Sequence, residues 1–170
     1  MRTVAAWLGA LACGVALPLA AGEWVSGRVV NVHDGDTATI ATLDARVLQV
    51  RFYGVDAPER ATEDWPAQAH AAAATRFVRG MLLERPVSVR LTGERTYGRE
   101  VGEVFVDGRS VSRELLRAGF GWWNARYARD DRDLQSLEQA ARSARRGLWQ
   151  NAEALAPWQH RARHRPRPRR

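Results

Sequence analysis

An alternating strand that ends in a proline loop, at residues 46–59, constrains the fold of this chain more than any other stretch. Its polar and apolar residues alternate, which predicts a strand with one face on a core and Arg51 on the other face. Pro58 cannot donate a hydrogen bond to a sheet and forces the preceding residue into an extended conformation. The strand is therefore expected to end near Val55, with Asp56 and Glu59 at its lip. Alone, this pattern also fits an ordinary exposed strand end, so the rest of the chain has to decide.

Hydrophobic periodicity elsewhere predicts four further strands and three helices. The five strands are expected at residues 24–31, 37–42, 46–55, 86–91 and 101–106, and the helices at residues 66–82, 112–118 and 130–146. Three strands in a meander, followed by two more among helices, are typical of a small curled sheet. The sequence therefore predicts an α+β protein, a five-stranded barrel of OB type capped by three α-helices.

The first 21 residues have the pattern of a secretory signal. Arg2 supplies a positive end, residues 4–17 are nearly all apolar, and small residues follow. That apolar run is too short for a stable membrane span, so no transmembrane segment is expected in the mature protein. The single cysteine, Cys13, lies inside this segment, which leaves a mature chain without disulfides. An exported protein, periplasmic or secreted, is expected; a lipoprotein anchored at Cys13 is the less favoured alternative.

The positive charge of the chain is concentrated at its end. All 26 Lys+Arg positions are arginine, and the formal net charge is +7. Arginines and carboxylates balance between residues 22 and 160, so the excess lies in residues 161–170. We expect residues 151–170 to form a basic, disordered tail, because arginines alternate there with prolines and no apolar stripe is present. Such a tail suits nucleic acid or another anionic surface, and it also fits a merely solvated end.

Three short blocks carry the candidate chemistry, and a closed barrel could bring them to one rim. Carboxylates placed together repel each other unless a cation joins them, and oxygen ligands without histidine or cysteine favour calcium first and magnesium second. Arginine matches phosphate oxygens with two parallel hydrogen bonds, and a further carboxylate can orient or deprotonate water. Together these groups suit hydrolysis of a phosphodiester. The blocks are Asp34-Gly35-Asp36-Thr37, Arg51 with Val55-Asp56-Ala57-Pro58-Glu59, and Tyr97-Gly98-Arg99.

In this order and spacing, the three blocks resemble the signature blocks of the thermonuclease (staphylococcal nuclease-like) family. Gly147-Leu148-Trp149 is similar to the end of that domain, so the resemblance covers about residues 24–149. It implies a nuclease domain with an OB-fold barrel over residues 22–150. It also implies a secreted enzyme that hydrolyses DNA and RNA with little sequence specificity, using one calcium ion. A monomer is expected.

The resemblance further implies a role for individual residues. Arg51 and Arg99 match the phosphate-binding arginines, and Glu59 matches the carboxylate that orients or deprotonates water. The metal positions match Asp36, Asp56 and the backbone carbonyl of Ala57. Asp34 matches an acidic neighbour of the metal site, and Tyr97 and Tyr127 match tyrosines that line the nucleotide pocket.

Two alternatives remain open at this point. Trp122 and Trp123 could stack on bases, although such residues more often pack a helix against a barrel. The domain could also be a non-catalytic OB module that binds nucleic acid. A degenerate module would be expected to lack a metal carboxylate or an arginine, whereas the full set is present here, so the enzyme is favoured.

Overall fold

The computed structural model describes residues 22–63 and 65–164 of this 170-residue chain. The predicted signal segment, residues 1–21, lies outside the described residues. The described residues form eight strands: β1 (Trp24–Val32), β2 (Thr37–Thr42), β3 (Val47–Phe52), β4 (Val55–Asp56), β5 (Pro86–Thr96), β6 (Arg99–Val106), β7 (Arg109–Ser110) and β8 (Trp122–Trp123). In the same part of the chain there are four helices, α1 (Ala71–Leu82), α2 (Val111–Ala118), α3 (Arg132–Ser143) and α4 (Pro157–His164), with a 3₁₀ turn at Gly147–Gln150.

Five strands close into a mixed barrel. The order of the sheet is β3-β2-β1-β5-β6, and β3 also pairs with β6, in parallel, through Val50 with Glu100 and Phe52 with Gly102. Register shifts in β1 and β5 mark bulges, which increase the local bend that closure needs. The predicted α+β class and five-stranded OB-type barrel are confirmed, but four helices rather than three accompany the barrel.

The barrel core follows from the alternation in the strands. Val50 and Phe52 are buried, as predicted, and Ile40 on the neighbouring strand is fully buried with them. Helices α1 and α2 cover the barrel with the apolar stripes Ala74, Val78, Leu82 and Val111, Leu115, Leu116. One face of each strand thus packs in the interior of the barrel, and Arg51 lies on the opposite face of β3.

A second cluster lies between α3 and the chain that follows it. Trp122 is 3 % exposed and its ring centroid lies 5.2 Å from that of Trp149. Ala141, Leu148 and Ala156 complete the cluster, and the guanidinium of Arg142 lies 3.9 Å from the centre of the Trp149 ring. Trp122 is therefore a packing residue of this cluster and does not stack on bases. Its neighbour Trp123 lines a cleft described below.

The third strand ends earlier than the sequence predicts. It stops at Phe52, because Gly54 adopts φ +71 and a Cβ there would lie 2.4 Å from the side chain of Leu134. Val55 and Asp56 then pair with Trp123 and Trp122 as a separate two-stranded sheet. This turn directs Asp56 back toward the rim of the barrel instead of along the strand.

The first helix starts five residues later than predicted. His70 has a left-handed φ of +66, which interrupts any helix begun at Pro66. The backbone N–H of Gln68 donates to the carbonyl of Glu59 at 2.8 Å, so residues 66–70 follow the preceding loop. Tertiary hydrogen bonds have here overridden the local helix signal.

The prediction of a disordered tail is wrong for residues 157–164. They form α4, in which Pro157 occupies the first turn and the side chain of Gln159 accepts the N–H of Ala156 at 3.2 Å. Helix α4 has only two buried residues, Pro157 and His160, and polar contacts fix it in place. Hydrophobic periodicity could not reveal a helix held in this way. The end of the predicted tail, residues 165–170, lies outside the described residues.

Among the described helices, none combines the length and the hydropathy that crossing a bilayer requires.

Candidate active site

One cleft at the rim of the barrel collects all three predicted blocks. It encloses about 980 Å³ and is bordered by the β1–β2 turn, the β3–β4 segment, the β5–β6 hairpin, the loop at residues 124–127, and α4. The pairing explains the convergence, because Arg51 on β3 lies between Thr37 on β2 and Val101 on β6. Strand neighbours, rather than sequence neighbours, bring the blocks together.

Asp36 and Asp56 lie side by side at the base of this cleft. They are 5 % and 2 % exposed, and both bind the guanidinium of Arg51. The Asp56 contact joins Oδ1 to Arg51 Nη2 at 2.7 Å, and Asp36 Oδ1 contacts Arg51 Nη1. Asp36 Oδ2 also accepts the backbone N–H of Ala57 at 2.6 Å. Arg51 therefore joins the two predicted metal carboxylates, and the backbone N–H of Ala57 is hydrogen-bonded to one of them.

Close packing between two loops sets the position of Asp36. Gly35 lies against the loop of Ala57, and a Cβ on Gly35 would fall 2.6 Å from the Cβ of Ala57 and 2.9 Å from that of Ala74. Asp34 Oδ1 accepts the backbone N–H of Asp36 at 3.0 Å, which fixes the turn. Burial raises the pKa of the Asp34 carboxyl, and the charges of Arg51 and Arg99 oppose that shift.

Arg51 is held as a desolvated cation. Its side chain is 15 % exposed, and burial lowers the pKa of its guanidinium, against the opposing charges of Asp56 and Asp34. Arginine remains protonated in proteins even when desolvated, so a positive charge persists at the base of the cleft.

Arg99 reaches the same carboxylates through Thr37. Arg99 Nη1 donates to Thr37 Oγ1 at 3.2 Å, and Thr37 Oγ1 donates to Asp36 Oδ1 at 3.2 Å. The Nε of Arg99 donates to the carbonyl of Thr96 at 3.3 Å, across the tight β5–β6 turn. The two predicted phosphate-binding arginines thus approach the carboxylates from two adjacent strands, β3 and β6.

The two predicted pocket tyrosines lie at the mouth of the cleft. Tyr97 is 92 % exposed, in the β5–β6 turn, with the Arg99 guanidinium 5.9 Å from its ring centre. Tyr127 is half exposed and lies 5.5 Å from the guanidinium of Arg126. Both rings offer open faces beside arginines, an arrangement suited to bases next to phosphates.

Glu59 lies on the loop between β4 and α1, and Gln68 ties that loop together. The backbone N–H of Glu59 donates to Gln68 Oε1 at 3.0 Å, while Gln68 Nε2 donates to the carbonyl of Leu155. Gln68 is buried and was not predicted as a site residue. No local sequence pattern identifies Gln68 as a site residue, because its side chain bonds to Leu155, which lies 87 residues later in the chain.

Sequence reasoning also missed Arg161 on α4. Its guanidinium binds Asp56, with Nη2 2.8 Å from Oδ2 and Nη1 3.3 Å from Oδ1, and it also binds Glu59 Oε1. Burial acts to lower the pKa of Arg161, but hydrogen bonds and charge from Asp56 and Glu59 outweigh it and raise the pKa. In the sequence, Arg161 could not be distinguished from the other five arginines at the end of the chain.

The donor set agrees with a hard divalent cation. Asp36 and Asp56 present carboxylate oxygens to a shared point, where Arg51 and Arg161 supply the positive charge in this structure. No group of three or more histidine, cysteine, aspartate or glutamate side chains forms a metal cluster within residues 22–63 and 65–164. Two carboxylates with a backbone carbonyl are an oxygen-only set, the class that calcium and magnesium prefer.

Comparison with known proteins adds independent evidence. The family model described as staphylococcal nuclease homologue matches residues 49–151. An endonuclease of Escherichia coli O157:H7, named only as uncharacterized, is 34 % identical over 136 residues, which cover 79 % of this chain and 83 % of that protein. Protein ParB of Escherichia coli is 32 % identical, over 92 % of this chain and 91 % of that protein. Micrococcal nuclease of Shigella flexneri is 27 % identical, over 95 % of each chain.

Proposed function

Since this chain belongs to the staphylococcal nuclease family and is therefore a phosphodiester-cleaving hydrolase, we propose that it is a calcium-dependent endonuclease that acts on DNA and RNA with little sequence preference. The observation that carries the proposal is the cluster of Asp36, Asp56 and Arg51 in one cleft with Arg99 and Glu59. A module that had lost its chemistry would not be expected to keep all five groups in one cleft.

Each group has a role that follows from its position. Asp36, Asp56 and the carbonyl of Ala57 would hold the calcium ion, which would supply positive charge where charge develops on the phosphoryl oxygens. Arg51 and Arg99 bind the phosphate, because their planar donors match its oxygens and approach from adjacent strands.

Glu59 acts on the attacking water. Its carboxylate orients the water and accepts one proton as the oxygen–phosphorus bond forms, while the bond from phosphorus to the leaving oxygen breaks. The leaving oxygen takes a proton from solvent and departs as an alcohol, and Glu59 returns its proton to solvent. Arg51 and Arg99 are worth most in this transition state, since the charge on the phosphoryl oxygens is then largest.

The lining of the cleft supports cleavage without sequence preference. Guanidinium groups read phosphates, which are the same at every step of the chain. Tyr97 and Tyr127 offer ring faces, and every base can stack on such a face. Neither contact requires a particular base or sugar, so both DNA and RNA are expected to be substrates.

Export is part of the same proposal. Arg2 and the apolar run that follows it support removal of residues 1–21 and delivery to the periplasm or the medium. The mass of the protein recovered from cells tests this. A mature chain starting near residue 22 supports it, and a lipid-modified chain starting at Cys13 contradicts it.

Digestion of plasmid DNA and of a structured RNA, each with calcium, with magnesium and with chelator, tests the proposed activity. Both substrates should be cleaved in calcium, far more slowly in magnesium, and not at all with chelator. Equal cleavage in chelator would contradict a metal-dependent reaction. Cleavage of only one polymer would contradict the broad substrate range while leaving the calcium requirement intact.

A further inference from the structure

Helix α4 is fastened to the loop that carries Glu59. His160 is 6 % exposed and its Nε2 lies 3.2 Å from the carbonyl of Pro66. Gln68 Nε2 donates to the carbonyl of Leu155, just before the helix begins. These contacts hold α4 over the cleft. The position of the Arg161 side chain in the cleft is therefore fixed by the fold.

The guanidinium of Arg161 uses the lone pairs that a cation at Asp56 would need. Asp56 Oδ1 accepts from Arg51 Nη2 at 2.7 Å and from Arg161 Nη1 at 3.3 Å, and Oδ2 accepts from Arg161 Nη2 at 2.8 Å. A carboxylate oxygen has two lone pairs, so Oδ1 is already saturated. A divalent cation next to a guanidinium would also be repelled by it.

We propose that Arg161 is a further residue of the metal site, which competes with calcium for Asp56 and so sets the calcium affinity of the protein. The inference rests on the calcium dependence proposed above. Without calcium, Arg161 neutralises Asp56 and Glu59; when calcium binds, the guanidinium leaves Asp56. The competition lowers calcium affinity relative to a site that lacks this arginine.

Arg161, rather than Arg51, is the group that moves. Arg51 projects from a central barrel strand paired on both sides, and its side chain is 15 % exposed. Arg161 comes from a terminal helix, and its side chain is 34 % exposed. Helix α4 has only two buried residues, and the Arg161 side chain is more exposed than that of Arg51, so displacement of Arg161 disturbs less of the packed fold.

Calorimetric titration of calcium into the full-length protein tests this directly. Arg161→Gln removes the guanidinium that competes with calcium. Arg163→Gln on the same helix removes an equal charge from an exposed position and serves as the control. We expect Arg161→Gln to bind calcium about 10-fold more tightly, the scale of one charge-assisted hydrogen bond. Arg163→Gln should change affinity by about twofold or less, since a distant exposed charge is screened. Unchanged or weaker binding by Arg161→Gln would overturn the inference.

A second variant protects against a folding defect. Arg161→Lys keeps the charge but loses the planar fork, so its calcium affinity should lie between those of the wild type and Arg161→Gln. A thermal melt of each variant without calcium checks that the fold is retained. An Arg161→Lys protein that is folded and binds calcium more weakly than the wild type would contradict the competition.

Hydrogen exchange in α4 gives a readout that does not depend on affinity. Calcium should speed exchange of the α4 amides from Trp158 to His164 in the wild type, because the helix loses its contact with Asp56. The same amides in Arg161→Gln should exchange at rates that calcium does not change. Slower exchange on calcium binding in the wild type would show that α4 tightens and would overturn the inference.

The two proposals can fail separately. Absence of calcium binding by every variant would refute calcium as the cofactor and this inference with it. Calcium binding that is equal in the wild type and Arg161→Gln would refute the competition alone, and the proposed nuclease function would stand.

Discussion

At the scale of single residues, the sharing of Arg51 by Asp36 and Asp56 has a direct consequence. Asp56→Ala removes a proposed metal ligand and an acceptor of two guanidinium groups, so we expect calcium-dependent cleavage to disappear. Stability should fall by roughly 1–3 kcal/mol, the cost of leaving a buried polar group poorly paired. The fold should survive, since Asp36 still neutralises Arg51. Plasmid digestion and a thermal melt measure the two effects.

Asp44→Ala serves as the matched control. Asp44 is exposed and pairs with Arg46, away from the cleft. Its loss should leave cleavage at the wild-type rate. Full calcium-dependent activity in Asp56→Ala would refute the metal role of that carboxylate.

At the two proposed phosphate-binding residues, Arg51 and Arg99, catalysis should depend on the planar geometry of the guanidinium as well as on its charge. Arg51→Lys and Arg99→Lys keep the charge but lose the planar pair of donors. Each should lower kcat by roughly 10²–10³-fold, the scale for losing one preorganised charge-stabilising donor. Steady-state kinetics on a short oligonucleotide measure this. Arg85→Lys, in an exposed pair with Asp107, should have no effect and controls for the substitution itself. Near-normal kcat in either cleft variant would make that arginine structural.

Substitution of Glu59 should affect the chemical step and not the binding of substrate. Glu59→Gln retains the shape of the side chain but cannot accept a proton, so kcat should fall while KM changes little. Because Arg161 also pairs with Glu59, the variant must be compared at saturating calcium. A fall in apparent substrate affinity without a fall in kcat would place Glu59 in binding rather than in proton transfer.

At the scale of elements, the contact between the Asp36 turn and the Ala57 loop should be intolerant of a single methyl group. In Gly35→Ala the new Cβ would meet the Cβ atoms of Ala57 and Ala74 at 2.6 and 2.9 Å. We expect a loss of about 1–3 kcal/mol from overpacking and a lower kcat, because the Asp36–Ala57 hydrogen bond shifts. Denaturant unfolding and oligonucleotide kinetics measure both.

Gly80→Ala is the control for that substitution. Gly80 lies inside α1, and nothing lies within 4 Å of the position of its Cβ. The change should stabilise the protein by up to about 1 kcal/mol through helix propensity and leave kcat unaltered. Equal effects of the two substitutions would argue against tight packing at Gly35.

Elements with a clear hydrophobic period were predictable, and elements fixed by polar contacts were not. The alternation around Val50 and Phe52 revealed the buried face of β3 and hence the direction of Arg51. The sequence could not reveal that Gly54 ends the strand, because the side chain of Leu134, 80 residues later, leaves no room for a Cβ there. It could not reveal the late start of α1 either, because hydrogen bonds of Gln68 to Glu59 and Leu155 hold the segment before His70.

The predicted site residues lie together because each belongs to a short block at the end of a strand. Asp36, Arg51 and Arg99 are brought together by strand pairing, which the order of the blocks already suggests. Arg161 is different: it contacts Asp56 across 105 residues, and its own neighbours are arginines and histidines without an apolar stripe. A contact made by one long side chain produces no hydrophobic periodicity, so the sequence pattern does not predict it.

At the scale of the whole molecule, the distribution of charge separates the nuclease body from the end of the chain. Residues 22–160 are balanced, and six arginines follow, of which Arg161 and Arg163 belong to α4. Truncation after His164 removes the remaining four, Arg165, Arg167, Arg169 and Arg170, and keeps every described residue of the cleft. This truncation tests an electrostatic role for the end of the chain, separately from the role of Arg161.

Truncation after His164 should weaken binding of long DNA mainly at low salt. Each phosphate contact contributes roughly 0.9 to the slope of log affinity against log salt, so full engagement of four arginines would change the slope by about 3 to 4. Partial engagement is the realistic case for a short proline-containing segment, and we expect a change of about 1 to 2. KM for plasmid DNA should therefore rise most at low ionic strength, whereas KM for a dinucleotide and kcat on both substrates should not change. Equal salt slopes for the two proteins would show that these arginines do not contact the substrate, and would leave another anionic surface or a merely solvated end as the alternatives.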